Sequence, residues 1–256
     1  MIHINHKKEV FSLAFLLVAA LAFLMVFKEK TVTTSTKAGE RELPIYCVDT
    51  AEKRIALTFD AAWGNEDTGK ILEILERQDV KVTFFVTGGW VDKYPDDVKA
   101  IASAGHEIGN HSQNHKHMSK LDATQIKSEL GSVKEKADAL TGQNMILFRP
   151  PYGDYNNSLI TEATKNGYYT IQWSVDSLDW KDYGVENIIN TVCNHKNLGP
   201  GAIILCHNGA KYTAEALEPM IVKLKEQGYT FVKVSELIYQ GEFHMDAAGK
   251  QHAGEK

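Results

Sequence analysis

The sequence predicts an α/β fold built on a parallel sheet, because short apolar runs alternate with segments of helical periodicity from Ile55 onward. This alternation is typical of parallel strands joined by crossover helices. Polar motifs follow several of the apolar runs, which favours a distorted or incomplete (β/α) barrel whose motif residues gather on one rim. Periodicity alone is equally compatible with an open doubly wound sheet.

The predicted strands are short and apolar, and they cover Ile55–Phe59, Val82–Val86, Glu107–Gly109, Ile146–Phe148, Thr170–Val175, Ala202–Leu205 and Thr230–Val234. The predicted helices lie between these strands, and several are followed by a glycine, as helices often are. They cover Thr68–Arg77, Asp96–Ala104, Asp122–Leu140, Ser158–Asn166, Glu186–Asn194 and Ala216–Gln227.

Residues 10–27 contain no charged side chain, and Ser12 is their only polar residue. A helix of this length rises about 27 Å, which is nearly the hydrocarbon thickness of a bilayer. We predict a transmembrane anchor at 10–27, a short cytoplasmic segment at 1–9 and a folded domain outside the cytoplasm. A cleaved signal peptide is the alternative, but the small-x-small sequence Ala20–Ala22 lies inside the apolar run, where cleavage is not expected.

Two polar segments flank a predicted domain at 53–241. Residues 28–52 are polar and rich in threonine, and we predict that they form a stalk. Residues 242–256 are polar and contain glycine and histidine, and we predict that they form a disordered tail. The chain is thus predicted to be one folded domain on a membrane-anchored stalk, and we expect a monomer.

The formal net charge is −5, and neither sign of charge forms a long block. This distribution argues against nucleic acid or a strongly charged surface as a partner. The three cysteines, Cys47, Cys193 and Cys206, fit no metal-binding spacing. A Cys47–Cys193 disulfide is possible outside the cell, whereas Cys206 lies in an apolar run and is predicted to pack in the core.

Two histidines, His111 and His115, lie four residues apart after a short apolar run. On a helical turn this spacing places both imidazoles on one face, where one divalent cation can bind both of them. Such a pair alone is more often part of a solvated helix than a metal site. The metal hypothesis gains weight because polar motifs also follow other predicted strands.

The histidines belong to a set of five ordered motifs: Leu57–Asp60, Asn110–His115, Arg149–Gly153, Asp176–Trp180 and Leu205–His207. Their order and spacing resemble the polysaccharide deacetylases of carbohydrate esterase family 4, the NodB-homology group, from Lys53 to Gln240. The resemblance implies a distorted (β/α) barrel rather than an open sheet. The size, the N-terminal segment and the Trp63-Gly64 sequence make the chain most similar to membrane-anchored, spore-associated members that act on peptidoglycan.

The resemblance implies a catalytic role for four residues. Asp60 is the general base that takes a proton from water, and Arg149 orients its carboxylate. His207 is the general acid that protonates the departing amine, and Asp179 keeps that histidine protonated. Taken singly, each of the four also has an ordinary structural explanation, such as a helix cap, a salt bridge or a structural histidine.

The resemblance also implies a metal and a substrate pocket. His111 and His115 bind a divalent metal, expected to be Zn2+, which holds the water and receives the developing oxyanion. The Tyr152 amide, in a loop stiffened by two prolines, is aimed at the same oxyanion. Trp180 and Leu205 wall the pocket for the acetyl methyl group, although both are equally compatible with the core.

One position departs from the family pattern. The residue after the base is usually a second aspartate that completes the metal site, and here it is Ala61. Asp67, Glu66 or water is left to fill the position, and we assign Asp67 as the third ligand. The alternative for Asp67 is an N-cap of the following helix.

Aromatic residues provide further candidates for contact with a sugar. Trp63, Trp90 and Trp173 are candidates for a stacking face, and Tyr155 and Tyr183 lie in predicted loops. Large aromatic side chains are mostly found in protein cores, so the sequence does not choose among them.

These expectations together predict a single-pass protein of the cell membrane, associated with sporulation, whose domain acts outside the cytoplasm. The predicted activity is metal-dependent hydrolysis of N-acetyl groups of a cell-wall polysaccharide, foremost peptidoglycan, with release of acetate. An O-acetyl esterase or another amidase uses the same chemistry and is the first alternative. A catalytically impaired glycan-binding or morphogenetic protein is the second, because of Ala61.

Overall fold

The computed structural model describes residues 37–38 and 41–254. The predicted cytoplasmic segment 1–9, the predicted anchor 10–27 and the first part of the predicted stalk lie outside these residues. No helix in the described part of the chain is long and apolar enough to cross a bilayer. The membrane anchor therefore stays a prediction.

In chain order, the strands are β1 (Lys37–Ala38), β2 (Arg41–Glu42), β3 (Cys47–Val48), β4 (Arg54–Ala61), β5 (Thr83–Val86), β6 (Glu107–Asn110), β7 (Leu147–Phe148), β8 (Tyr169–Thr170), β9 (Val175–Asp176), β10 (Ile203–His207), β11 (Thr230–Phe231), β12 (Phe243–Met245) and β13 (Lys250–Ala253). The α-helices are α1 (Thr68–Arg77), α2 (Gly88–Lys93), α3 (Pro95–Ser103), α4 (Ala123–Thr141), α5 (Asn157–Lys165), α6 (Val185–Cys193), α7 (Thr213–Glu226) and α8 (Val234–Leu237).

The main sheet is built from parallel pairs in the order β8-β7-β6-β5-β4-β10-β9, and β11 pairs with the start of β4. Its two outer strands, β8 and β9, are joined by residues 171–174 alone. This link spans at most about 18 Å. A flat sheet would separate β8 from β9 by about 29 Å, so the sheet must curl. The curled parallel sheet confirms the predicted incomplete (β/α) barrel.

Alternate residues of β4 face opposite sides of this sheet. Leu57 and Phe59 pack in the core between the sheet and the helices. Ala56 packs in a second core, inside the curl. Because side chains alternate along a strand, Thr58 and Asp60 face inward on the same side as Ala56. The β4 sequence therefore places Asp60 at the inner face, one residue before the strand ends.

The six predicted helices are all present, and each begins and ends within a few residues of its predicted bounds. The predicted strand Thr170–Val175 is wrong, because the chain leaves β8 at one edge of the sheet and enters β9 at the other. The predicted strand Thr230–Val234 ends at Phe231, and α8 follows. Helix α2 was not predicted, since Gly88 and Gly89 weaken a helical pattern. The Thr87 hydroxyl caps this helix by accepting a hydrogen bond from Trp90 N.

The folded domain begins earlier than predicted. Ile45 and Val48 are buried in the inner core, and Ile45 N donates a backbone hydrogen bond to Thr170 O. Residues 41–52 therefore pack on the domain, and the prediction that they belong to a stalk is wrong. The apolar sequence around Ile45 is the physical reason, because these side chains lose contact with water when they cover the inside of the sheet.

The predicted disordered tail, 242–256, is also wrong for its described part, 242–254, since β12 pairs with β13 in a hairpin and β13 pairs in parallel with β3. The alternating residues Phe243 and Met245 are buried and give the hairpin an apolar face. Its turn is closed by the Asp246 carboxylate, which accepts from Ala248 N and Lys250 N. The apolar face and the closed turn hold the segment in place.

The three cysteines are free thiols. Cys193 and Cys206 are buried, whereas Cys47 is partly exposed on β3. The disulfide considered between Cys47 and Cys193 is therefore not formed. The prediction that Cys206 packs in the core is confirmed.

Candidate active site

Loops at the carboxyl ends of β4, β6, β7, β9 and β10 surround one cavity of about 720 Å³. The carboxyl ends of parallel strands are where active sites of (β/α) folds lie. Eight of the ten residues predicted for the site line this cavity or lie directly behind its wall, and they are Asp60, His111, His115, Arg149, Tyr152, Trp180, Leu205 and His207. Asp179 is hydrogen-bonded to His207, and Asp67 is not part of the lining but accepts a hydrogen bond from Gly209 N in the cavity wall.

The strand register brings Asp60 and His207 together. The two residues are direct partners in the parallel pairing of β4 with β10. Neighbouring strands lie about 4.8 Å apart, so the two side chains stand next to each other at the cavity floor. Asp60 and His207 are adjacent because their two strands end at the same level of the sheet. Their separation of 147 residues along the chain does not predict this.

Arg149 holds the Asp60 carboxylate from behind. Its Nη1 donates to Asp60 Oδ1 at 2.7 Å and to Thr58 Oγ1 at 2.9 Å. The guanidinium is fully buried and lies 4.1 Å from the centroid of the Phe85 ring. Burial is the largest influence and raises the pKa of Asp60, but the charge and hydrogen bond of Arg149 together with the neighbouring His111 and His207 outweigh it, so the net pKa is lowered. Asp60 is therefore an ionised carboxylate at neutral pH, which is the state required of a base.

Asp179 contributes to a raised pKa of His207, whereas Arg149 contributes to a lowered pKa of Asp60. The imidazole Nδ1 donates to Asp179 Oδ1 at 2.7 Å, and the other carboxylate oxygen accepts from His207 N and from Thr213 Oγ1. Burial is the largest influence and lowers the pKa of His207, but the hydrogen bond and charge of Asp179 together with the charges of Asp60 and Asp176 outweigh it, so the net pKa is raised. The ionised Asp60 carboxylate can act as general base, and the protonated His207 imidazole next to it can act as general acid.

The two candidate metal ligands lie in a loop rather than on a helix, so the helical turn assumed for them is wrong. Ser112 and His115 have φ angles of 65° and 51°, in the left-handed region. Two hydrogen bonds hold this loop, from Ser112 N to Asn110 Oδ1 and from His115 N to Ser112 Oγ. The ring centroids of His111 and His115 are nevertheless 4.9 Å apart. The two imidazoles are therefore close together, as predicted, but a loop rather than a helical turn brings them there.

The environment of His111 suits a cation. Its Nδ1 is 2.8 Å from Arg149 O, and because a carbonyl only accepts, Nδ1 carries the proton. The unprotonated Nε2 then faces Asp60 Oδ2 at 3.4 Å. Two acceptor atoms in this position repel each other unless a cation lies close to both. A carbonyl that fixes the outer nitrogen is also the usual partner of a metal-binding histidine.

Both imidazoles are in the form that binds metal. Burial lowers the pKa of His111, and burial together with the neighbouring His111 lowers the pKa of His115 to about 4. Two neutral imidazoles therefore face the cavity at neutral pH. Across residues 41–254, however, no set of three His, Cys, Asp or Glu side chains is arranged to hold a metal. The donors fit a divalent cation bound through two histidines, with its other positions open to water or substrate.

The structure does not group Asp67 with His111 and His115, since no three His, Cys, Asp or Glu side chains within residues 41–254 are placed to hold a metal. Asp67 Oδ1 accepts a hydrogen bond from Gly209 N at 2.8 Å, and the side chain makes no capping bond to α1. The loop is held in this position by the Gly64 carbonyl, which accepts from Trp90 Nε1 and from Asn208 Nδ2. Asp67 therefore connects two loops, and it occupies the N-cap position of α1 without a capping bond from its side chain.

The predicted substrate residues lie at the cavity. Leu205 is buried in its wall, whereas the Trp180 side chain is exposed and is not part of the core. Tyr152 has a φ of 61° in a short 3-10 turn, Pro151–Gly153, and its ring stacks on His117. Tyr155 lies away from the site and contacts Arg41 and Tyr46.

Asn208 is a site residue that the sequence did not indicate. It is buried, and its backbone N donates to Asp60 O at 3.0 Å. Its side-chain oxygen accepts from Thr68 Oγ1. The available signal was its position directly after His207, at the end of an apolar strand. Asn208 joins the loop of the base to the loop of the acid.

Residues 48–171 match the family model of polysaccharide deacetylases. The peptidoglycan-N-acetylmuramic acid deacetylase PdaA of Bacillus subtilis is 38% identical over 208 residues, which cover 78% of this chain and 77% of PdaA. This chain belongs to the polysaccharide deacetylase family. A peptidoglycan-N-acetylglucosamine deacetylase of Bacillus cereus is 35% identical over 187 residues, covering 72% of this chain and 67% of that relative. The family resemblance predicted from the five motifs is confirmed.

The solved structures of this family include that of a pseudoenzyme. A CE4 family pseudoenzyme from Bacillus anthracis aligns with this polysaccharide deacetylase with a TM-score of 0.73 and 37% identity, over 82% of this chain and 72% of the pseudoenzyme. A mutant of that protein has restored enzymatic activity, and it aligns with a TM-score of 0.73 and 39% identity over 77% of this chain and 72% of the mutant. The fold of this family therefore occurs with and without catalysis.

Proposed function

We propose that this protein hydrolyses N-acetyl groups of a cell-wall glycan, with peptidoglycan as the substrate, and releases acetate. One observation carries the proposal: Asp60 and His207 are paired across two strands at one cavity floor, with partners that leave the first ionised and the second protonated. Hydrolysis of an amide needs both a base for the attacking water and an acid for the departing amine. The paired side chains supply the two functions from neighbouring positions.

The chemistry follows from these positions. Asp60 takes a proton from the water that attacks the acetyl carbon, and Arg149 holds the carboxylate toward the cavity. His207 donates its Nε2 proton to the nitrogen as the C–N bond breaks, because its Nδ1 is engaged by Asp179. A divalent cation such as Zn2+, held by His111 and His115, would polarise the acetyl carbonyl and lower the pKa of the water. The Tyr152 amide contributes a hydrogen bond to the oxyanion in this proposal.

The substrate is proposed from the relatives and from the predicted location. PdaA is named for N-acetylmuramic acid and the Bacillus cereus relative for N-acetylglucosamine, both in peptidoglycan. A membrane anchor at residues 10–27, with the domain outside the cytoplasm, would place the cavity at the cell wall. A role at sporulation is part of the same proposal.

Acetate release tests the proposal. We expect the full chain, supplied with Zn2+, to release acetate from N-acetylglucosamine oligomers and from peptidoglycan, and to be slower on O-acetylated xylan. Release from the xylan alone would instead establish an O-acetyl esterase. Mass spectrometry of the glycan locates the loss of each acetyl group on nitrogen or oxygen.

A second candidate function is glycan binding without catalysis. It is favoured by Ala61, which stands where the family usually has a metal-binding aspartate, and by the lack of a three-ligand set within residues 41–254. The Bacillus anthracis pseudoenzyme is a precedent in the same fold. Zinc-loaded protein that binds N-acetylglucosamine hexamer but releases no acetate would establish this candidate and overturn hydrolysis.

Removal of either imidazole should remove the metal. We expect His111→Ala and His115→Ala each to bind less than about a tenth of the zinc bound by the parent protein, because a single remaining side chain is a weak site. His117→Ala is the matched control, since that histidine is exposed and pairs with Asp154 instead. Zinc per chain is measured by elemental analysis after dialysis. Full occupancy in either of the first two variants would place the metal elsewhere.

Asp179→Asn should change the pH dependence of the reaction. His207 must be protonated to act as acid, so activity falls as the pH rises through the pKa of His207, which Asp179 raises. Without that carboxylate the pKa falls, and the alkaline limb of the kcat profile moves to lower pH, with at least about a tenfold loss above neutrality. Asp182→Asn, at the cavity rim, is the control and should leave the limb in place. An unmoved alkaline limb in Asp179→Asn would exclude His207 as the acid.

A further inference from the structure

One buried carboxylate, on helix α4, has no part in the acid–base chemistry. Glu129 is the only charged residue among those that α4 buries, and the others are Ile126, Leu130, Val133 and Ala137. These apolar residues belong to the core between the sheet and the helices, so the helix is firmly packed. A buried charge is costly unless hydrogen bonds and an opposite charge compensate it. The partners of Glu129 therefore indicate its role.

Glu129 is hydrogen-bonded to the histidine loop, residues 111–116. Its Oε2 accepts from Asn114 N and its Oε1 from Asn114 Nδ2, both at 2.8 Å. Lys116 Nζ lies 2.9 Å from Oε1. Burial raises the pKa of Glu129, but the hydrogen bonds from Asn114 and Lys116 and the charge of Lys116 outweigh it, so the net pKa is lowered. An ionised carboxylate thus holds the residues on either side of His115.

His115 depends on support from its backbone more than His111 does. The ring of His111 is fixed by the hydrogen bond between its Nδ1 and Arg149 O. The Nδ1 of His115 is buried and has no hydrogen-bond partner among the described residues. The φ of His115 is 51°, a conformation that costs a non-glycine residue free energy and needs support from its surroundings. The position of His115 therefore depends on the hydrogen bonds of its backbone and of the residues beside it.

The part of the chain before His115 is attached to two helices. Leu130 O, on α4, accepts from Asn110 Nδ2 at 2.8 Å. Gly88 N, at the start of α2, donates to Ser112 O at 3.0 Å. Glu129 extends this support to the residues on either side of His115. Sites held by packed helices are more exactly placed than sites on free loops.

We propose that Glu129 is a positioning residue for the metal site, and that it raises the affinity for a divalent cation by holding His115 in the binding conformation. A protein that adopts its binding conformation for a fraction of the time binds more weakly by that fraction. The loss matters here because only two histidines are placed to bind the cation within residues 41–254. The inference rests on the proposed metal-binding role of His111 and His115.

The Zn2+ affinity of the metal-free full chain tests the inference, and it is measured by competition with a chromophoric chelator. Glu129→Met keeps the length of the side chain and removes both acceptors. We expect it to weaken Zn2+ binding by at least about tenfold, as for a loop that is in its binding conformation less than about a tenth of the time. Glu135→Gln, at an exposed position of α4, is the control and should stay within about twofold of the parent.

Glu129→Gln separates hydrogen bonding from charge. Its amide oxygen can accept from Asn114 N, and its NH2 group can donate to Asn114 Oδ1 once the Asn114 amide turns over. The loop is then still held although the charge is gone, so we expect Zn2+ affinity within about threefold of the parent. A loss as large as that of Glu129→Met would mean that Glu129 acts through its charge, and would overturn the inference.

Asn114→Asp tests the same contact from its exposed side, and it does so even if Glu129→Met does not fold. A carboxylate at position 114 repels Glu129 and displaces the loop, so we expect Zn2+ binding to weaken by about fivefold or more. A purely electrostatic effect would instead tighten binding, because the added negative charge lies one residue from His115. Unchanged or tighter binding would overturn the inference.

Failure of this inference is distinct from failure of the proposed function. Parent protein that binds Zn2+ but releases no acetate, with the expected loss in Glu129→Met, overturns hydrolysis alone. Unchanged Zn2+ affinity in Glu129→Met, with an active parent protein, overturns the positioning role alone. Parent protein that binds no Zn2+ overturns the positioning role together with the metal-binding part of the proposed function.

Discussion

Asp60→Asn is expected to lower kcat for acetate release by at least about a hundredfold, because it removes the general base and leaves the size of the side chain unchanged. Asn cannot accept the proton of the attacking water, although its oxygen can still accept the hydrogen bond from Arg149 Nη1. Bound zinc should persist, since His111 and His115 are untouched. The measurements are steady-state acetate release and zinc per chain, on protein whose thermal unfolding shows that it is folded.

Asp176→Asn is the matched control for this prediction. Asp176 also lines the cavity, but its carboxylate accepts a hydrogen bond from Leu178 N, and it acts on Arg149 and His207 through its charge. We expect its kcat to stay within about threefold of the parent value. If Asp60→Asn kept more than a tenth of the parent activity with zinc bound, another group would have to be the base.

The sequence predicts that the site residues lie close together, because a parallel sheet brings the ends of its strands, and the motifs that follow them, to one edge. Asp60, Arg149 and His207 each come at or just after the end of an apolar run. In a parallel sheet with crossover connections, all such ends lie at one edge, so residues far apart in the chain meet there. The identity of the family added the order of the motifs. Strand ends and motif order together were enough to place eight of ten residues at the cavity or in its wall.

Loop conformation was not predictable in the same way. The spacing of His111 and His115 suggested a helical turn, but Ser112 and His115 itself take left-handed backbone conformations, which are stabilised by the Asn110 and Ser112 side chains. Short polar side chains of this kind compete with helix formation by bonding to nearby backbone groups. A four-residue spacing is compatible with both paths, so the correct pairing followed from an incorrect local structure.

The position of the Asp67 side chain could not be predicted from its distance along the chain to Asp60. A loop of suitable length could have returned its carboxylate to the metal, but contacts with parts of the chain far away in sequence decide its position. Gly209 N donates a hydrogen bond to one carboxylate oxygen of Asp67. The Gly64 carbonyl accepts hydrogen bonds from the side chains of Trp90 and Asn208. We therefore expect the zinc affinity of Asp67→Ala to be within about twofold of the parent value, since the two histidines are unaffected.

The ends of the domain were mispredicted for a thermodynamic reason. Residues 41–52 and 242–254 are polar on average, and a polar average was taken to indicate a stalk and a tail. Each segment nevertheless has a few apolar residues, Ile45 and Val48 in the first and Phe243 and Met245 in the second, and these complete one core inside the sheet. Two segments that are each too polar to fold alone are stabilised by burying those residues together.

The largest effect on stability is expected at Arg149. Replacing it in Arg149→Met leaves the Asp60 carboxylate buried without its counter-ion, and breaking a buried ion pair in this way costs about 3–5 kcal/mol. The loss is expected as a lower free energy of unfolding in urea at pH 7, with activity reduced as well because the base is no longer oriented. Arg54→Met is the matched control, since the Arg54–Glu52 pair is at the surface and should contribute less than about 1 kcal/mol.

The double variant Asp60→Asn/Arg149→Met tests whether the uncompensated charge is the cause. If it is, Arg149→Met should be less destabilising in the Asp60→Asn background, by about 2 kcal/mol or more, because no buried carboxylate is left unpaired. A packing effect would behave differently, since Arg149 fills the same space beside Phe85 and Trp173 in either background. Equal costs in the two backgrounds would mean that Arg149 stabilises the domain by packing, and that the charge of Asp60 does not depend on it.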